Sequence, residues 1–128
     1  MNVREEYQRV LEEHQEEITA AGQLGGTDQR GHPRFKVDNA DLWLSTVPEF
    51  AVADLSASGI AVISNHPVEA GTLLNLSLGK SLSVNTEVVA CTMEYAPDEY
   101  TDGQFRIQCR FLEDLKGMEL LVTVLRTN

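Results

Sequence analysis

Residues 104–111, QFRIQCRF, alternate without a slip. Phe105, Ile107, Cys109 and Phe111 fall on one side, Gln104, Arg106, Gln108 and Arg110 on the other. A period of two is that of a β-strand, whose successive side chains leave opposite faces. One face of this strand has to be buried while the other meets water, as in an antiparallel sheet covered on one side. Other segments follow the same logic. FKVDNADLWLS and EFAVAD read as strands with a turn at Val47-Pro48, and GIAVISN as a short apolar strand. TLLNLSLG sets Leu74, Leu76 and Leu78 against Leu73, Asn75 and Ser77. SVNTEVVACTMEYA places Val89, Cys91, Met93 and Tyr95 on one face. Six such strands, closely spaced and with no long helix between them, predict a small antiparallel barrel or sandwich and argue against βαβ units.

Helical periodicity is confined to the ends. Val3, Tyr7, Val10, His14, Ile18 and Ala21 recur at intervals of three and four, which predicts an amphipathic helix over residues 2–21. Asn2 and Glu5 form a capping pair, and Gly22 is a stop signal. Such a narrow apolar stripe is marginal alone in water, so it has to pack on its own domain or on a partner. At the other end, residues 114–126 read as a short helix with Asp114 as N-cap. Its buried face is expected to hold Leu115, Met118, Leu121, Val122 and Leu125. The expected organisation is an N-terminal helix (1–22), a glycine-bearing linker (23–36) and a β domain ending in the short helix (37–128).

At 128 residues the chain is the size of one domain with one core. Its net charge of -10 opposes general affinity for DNA, RNA or anionic membrane. No apolar run approaches the ~18 residues that span a bilayer, and MNVREEYQRV lacks a signal-peptide core, so the expected location is the cytoplasm. Cys91 and Cys109 sit in apolar strand sequence and read as buried, reduced thiols. His14, His32 and His66 stand far apart, and no CxxC, HExxH, phosphate-binding glycine loop or GxSxG occurs, which speaks against an enzyme.

Against this acidic background, Arg30, Arg34 and Lys36 fall within seven residues with no acid among them. A local positive site on an acidic body selects a compact anion while repelling long polyanions. ADLSASG, residues 53–59, crowds Asp54, Ser56, Ser58 and Gly59 into the connection between two apolar strands. Taken alone it is a turn, in which Asp and Ser bond nearby amides and Gly supplies a positive φ. Two arginines four apart, taken alone, are a solvated surface feature.

Together they say more. Arg30-Gly-His-Pro-Arg34 fits RxxxR, and Asp54-Leu-Ser56-Ala-Ser-Gly59 fits DxSxxG, in that order at the start of an antiparallel β domain. From about Gln29 to the C-terminal helix the chain resembles the PilZ family, bacterial receptor domains for the second messenger cyclic di-GMP. The later CRFLED strand end fits as well. The resemblance implies a six-stranded antiparallel β-barrel with a helix near its C-terminal end. It implies that cyclic di-GMP is a ligand, with no cofactor or metal, and that it sits between Arg30 and Arg34 on one side and Asp54, Ser56 and Gly59 on the other. Arg110 is a weaker candidate for the same face, its plainer role being a surface ion pair.

The chemistry suits the ligand. A guanidinium bonds phosphate oxygens, or guanine O6 and N7, in pairs, which lysine does not. Asp54 offers acceptors to the guanine N1–H and N2–H2 edge, Ser56 donates or accepts, and Gly59 permits close backbone approach. The arginine segment is expected to be free or swung away until ligand orders it, redirecting the N-terminal helix toward a protein partner or a second copy. The competing possibility is a PilZ-like interaction module that binds no nucleotide. Such domains usually lack the arginine motif, which this chain keeps.

Overall fold

The computed structural model describes residues 2–15, 32–37, 41–47, 49–100 and 102–127. Helix α1 (Val3–Glu13) is followed by strands β1 (Leu42–Leu44), β2 (Ala51–Leu55), β3 (Gly59–Ser64), β4 (Leu73–Leu78), β5 (Leu82–Tyr95) and β6 (Gln104–Phe111), then by helix α2 (Asp114–Thr127). The strands form one antiparallel sheet in the order β1-β4-β5-β6-β3-β2, curled into a half-barrel. The central strands β5 and β6 pair over most of their length, and β6 is the alternating segment on which the sequence reading rests.

The inner face is a continuous apolar layer. Leu42 and Leu44, Leu74 and Leu76, Val84 and Val88, Ile107, Cys109 and Phe111, and Ile60 and Val62 are all buried there. Helix α2 closes this face with Met118, Leu120, Leu121, Val124 and Leu125. Helix α1 packs on α2 through Tyr7 and Val10, and Glu6 pairs with Arg126 across the two helices. The apolar stripe of α1 is therefore covered within the chain. Asn2 caps α1 as expected, its Oδ1 accepting from the Glu5 N–H at 2.9 Å.

Four expectations need correction. The first strand is short: Phe35 lies outside it, and β1 begins only at Leu42. Nor do β1 and β2 form a hairpin, since they are the two opposite edges of the sheet, β1 on β4 and β2 on β3. Local pattern marks a turn near Val47, but which strand each edge joins is decided by long-range pairing. Next, α1 ends at Glu13, with His14 leaving helical geometry; residues 16–21 of the expected helix lie outside the described residues. No Gly or Pro marks this end. It coincides with the His14 ring packing edge-on against Phe35 at 6.0 Å.

The third correction concerns β5. A bulge between Val88 and Ala90 leaves Val89 as the extra residue, so Val88 takes the buried position and Val89 is exposed. Cys91 and Met93 then sit opposite Ile107 and Phe105, but the strand end runs past the core, and Met93 and Tyr95 are exposed. Last, Leu115 is exposed on α2, while Leu120 and Val124 are buried. The helix is buried over a wider arc than a single stripe because both the sheet and α1 cover it.

Gly117 lets α2 close. A β-carbon there would lie 2.4 Å from Phe111 Cδ2 and 2.8 Å from the Ala57 carbonyl oxygen. Phe111 is fully buried and has no room to yield. Gly117→Ala is expected to lower unfolding free energy by about 1–2 kcal/mol, overpacking outweighing alanine's helix preference. Urea denaturation measures it; a stabilised variant would mean that α2 is not seated on Phe111.

Candidate functional site

The outer face of the sheet carries a groove of about 280 Å³, lined by Arg34, Asp54, Ser56, Gly59, Arg106 and Arg110, among others. Its floor follows from strand register. Gly59, Ala61 and Ile63 of β3 stand opposite Arg110, Gln108 and Arg106 of β6, and Asp54 of β2 stands opposite Ala61. The small residues of β3 keep the middle of the floor low, and the long β6 side chains and Asp54 form its rim. On the far side of β6, Arg110 faces Glu87 and Gln108 faces Ala90 of β5.

The β2–β3 turn is fixed by its own polar groups. The Ser56 N–H donates to the Gly59 carbonyl at 2.9 Å, and the Ser58 N–H donates to Ser56 Oγ at 3.2 Å. The Phe111 N–H donates to the Ser58 carbonyl at 2.8 Å, tying the turn to the end of β6. Ser56 is 3% exposed, so its hydroxyl shapes the turn as much as it faces the groove. Gly59 does not adopt the positive φ expected of a turn glycine. Its requirement is steric, because a β-carbon would lie 2.3 Å from the Cys109 carbonyl oxygen.

The arginine segment reaches the groove through its backbone. Phe35 forms an isolated antiparallel bridge with Leu55. The Phe35 N–H donates to the Leu55 carbonyl and the Leu55 N–H to the Phe35 carbonyl, both at 2.8 Å. With the Phe35 side chain in the core, its neighbour Arg34 is set at the groove, next to the Asp54 end of β2. Lys36 is exposed and is not among the groove-lining residues. Arg30 and Gln29 lie outside the described residues.

Among the described residues, two arginines at the groove's rim make three ion pairs. Arg106 Nη2 donates to Asp54 Oδ2 at 3.0 Å, and Arg106 Nη1 lies 3.9 Å from Glu94 Oε1. Arg110 donates through Nε to Glu87 Oε1 at 2.8 Å, and its Nη2 lies 2.6 Å from the same oxygen. The structure thus brings together Arg34, Asp54, Ser56, Gly59 and Arg110. It adds Arg106, which the sequence reading treated only as an outward-facing strand residue. Alternation already puts Arg106 on the face of Arg110; its pairing with Asp54, fifty-two positions away, has no local signal in the sequence.

This geometry can be set beside known proteins. The PilZ domain profile matches residues 28–126, most of the chain. Among solved structures, the PilZ domain of YcgR from Escherichia coli with c-di-GMP is similar at 13% identity and TM-score 0.52, covering 77% of this chain and 91% of that one. MrkH, described as a c-di-GMP-dependent transcription regulatory factor, is similar at 20% identity and TM-score 0.51, covering 78% of this chain and 52% of its own. The K. pneumonia MrkH–c-di-GMP complex gives 19% identity and TM-score 0.52 over 79% of this chain and 54% of that one. The chain thus spans about half the length of the MrkH chains. No curated protein matches the sequence. A curled antiparallel half-barrel closed by a C-terminal helix is the class that fold and profile define, and the chain belongs to the PilZ domain family.

Both thiols are free, Cys109 buried and Cys91 only half-buried. Burial pushes the Cys109 thiol up to about 11, against a smaller opposing pull from its hydrogen bond with Thr86. Below that pH Cys109 stays protonated and unreactive. Iodoacetamide at pH 8 is expected to alkylate Cys91 well before Cys109, read by peptide mass spectrometry. Equal labelling of both in the folded protein would contradict the described packing of β6.

Proposed function

We propose that this chain is a receptor domain for cyclic di-GMP, a binding protein rather than a catalyst. The observation that carries this reading is the convergence of Arg34 with Asp54, Ser56 and Gly59 on one groove, from segments about twenty residues apart in sequence. The PilZ fold and the c-di-GMP named for its structural neighbours support it. Arg34, joined by Arg30, clamps a phosphate or the O6/N7 edge of a guanine. Asp54 accepts from guanine N1–H and N2–H2, Ser56 holds the turn that presents it, and Gly59 keeps the floor open to a flat base. Arg110 meets the ligand only by sharing or leaving Glu87, which makes it a secondary contact.

The output of binding is a change at α1, read by a protein partner. Two ring contacts join α1 to the arginine segment on either side of Arg34: Tyr7 with His32 at 6.1 Å, and His14 with Phe35 at 6.0 Å. Phe35 is the fixed anchor. Ligand drawing Arg34 and Arg30 into the groove shifts the chain before that anchor, and with it the support on which α1 rests. With a net charge of -10, a protein is a better recipient of this signal than a nucleic acid. Among the described residues no helix is long and apolar enough to cross a membrane.

Calorimetric titration with cyclic di-GMP tests the receptor. Saturable binding is expected for the wild type, and Arg30→Ala, Arg34→Ala and Asp54→Ala should each weaken it by about 2 kcal/mol or more. No saturable uptake by wild-type protein at micromolar ligand overturns the assignment. Hydrogen exchange tests the relay separately: protection of α1 amides should change on saturation, and unchanged protection removes α1 as the output.

A further inference from the structure

The Asp54–Arg106 pair has a consequence for which base the groove accepts. Asp54 gives Oδ2 to Arg106 and keeps Oδ1, as well as a second lone pair on Oδ2, for other donors. Arg106 carries five N–H groups and gives one to Asp54; Glu94, at 3.9 Å, lies beyond hydrogen-bond length. Both side chains are mostly covered, at 20% and 27% exposure, and both line the groove. A carboxylate hydrogen-bonded to a guanidinium at one rim presents acceptors and donors side by side.

That array has one complement among the purines. The pairing edge of guanine shows two donors, N2–H2 and N1–H, followed by the O6 acceptor. Adenine shows an acceptor at N1 next to the N6–H2 donor. Against adenine, the carboxylate would face a lone pair and the guanidinium an N–H. We infer that Asp54 and Arg106 act as one guanine-reading pair, Asp54 taking N1–H and N2–H2 while Arg106 donates to O6, so that Arg106 is a specificity-determining residue of the groove. The inference rests on the receptor reading above. Arg110 is not equivalent, because its Nε and Nη2 both go to Glu87, across β6 from Asp54.

Glu94 sharpens the assignment. It stands on β5 beyond Arg106 and draws Nη1 away from the turn, while Asp54 draws Nη2. Held between two carboxylates, the guanidinium has a defined orientation before any base arrives, and a preoriented donor discriminates better than a mobile one. Lysine at this position would keep the charge and lose the fork.

The test is titration of wild-type protein, Arg106→Gln and Arg106→Lys with cyclic di-GMP, cyclic di-IMP and cyclic di-AMP. Inosine keeps O6 and N1–H and lacks only the 2-amino group. Wild type is expected to bind cyclic di-GMP best, cyclic di-IMP more weakly and cyclic di-AMP least. Both variants should lose cyclic di-GMP affinity by roughly tenfold or more while cyclic di-AMP changes little, so the preference for guanine collapses. The wild-type ligand ranking needs no variant, and equal binding of cyclic di-GMP and cyclic di-AMP overturns the inference outright. So does an Arg106→Gln protein that loses both nucleotides in equal proportion, or an Arg106→Lys protein with the wild-type ratio. Failure of wild type to take up any of the three instead removes the receptor reading on which the pair depends.

Discussion

The two backbone hydrogen bonds between Phe35 and Leu55 are the constraint on which the site depends. They run between a segment outside the sheet proper and the last residue of β2, one position from Asp54 and one from Ser56. Without them the cation and the carboxylate would belong to unrelated parts of the surface. With them, Arg34 and Asp54 line one groove, and the Phe35 side chain, inserted in the core, makes the arrangement expensive to undo. A charged residue placed by its neighbour's burial needs no structural interaction of its own.

The electrostatics of the groove have the same economy. Arg106 is matched by Asp54, across β3 on β2, and Arg110 by Glu87 on the neighbouring β5, so the sheet face carries polar capacity without a large unbalanced field. Partly exposed pairs of this kind contribute little to stability. Their value lies in orientation, since a guanidinium held by an acid presents its remaining N–H groups in fixed directions. Small residues in the adjoining row of β3 let those groups stand above the floor. Gly59 in particular sits where any β-carbon would strike the Cys109 carbonyl.

In the relay proposed above, helix α1 is the element that turns a binding groove into a reporting device. Its apolar stripe is buried against α2, yet the rings of Tyr7 and of its C-cap His14 rest on the same short segment that delivers Arg34. A helix packed partly on the core and partly on residues flanking the groove has a docking energy that depends on where those residues lie. Energetic coupling of this kind needs only two arrangements of the segment, not a long chain of contacts.

Much of this was legible in the residues alone. Alternation in Gln104–Phe111 determined a one-sided antiparallel strand, apolar periodicity placed both terminal helices, and RxxxR and DxSxxG, through their resemblance to the PilZ family, marked the candidate ligand residues. These are local properties, set by the geometry of the backbone and by hydrogen-bonding chemistry within a few residues. What tertiary structure decided was everything that depends on partners distant in sequence. It put β1 and β2 on opposite edges, moved Phe35 out of the first strand and onto Leu55, and shifted the face of β5 by a bulge at Val89. It also joined Arg106 to Asp54 across fifty-two positions. No local pattern carries that pairing, because strand register and cross-strand contacts are chosen by burial of the whole sheet rather than by any one segment.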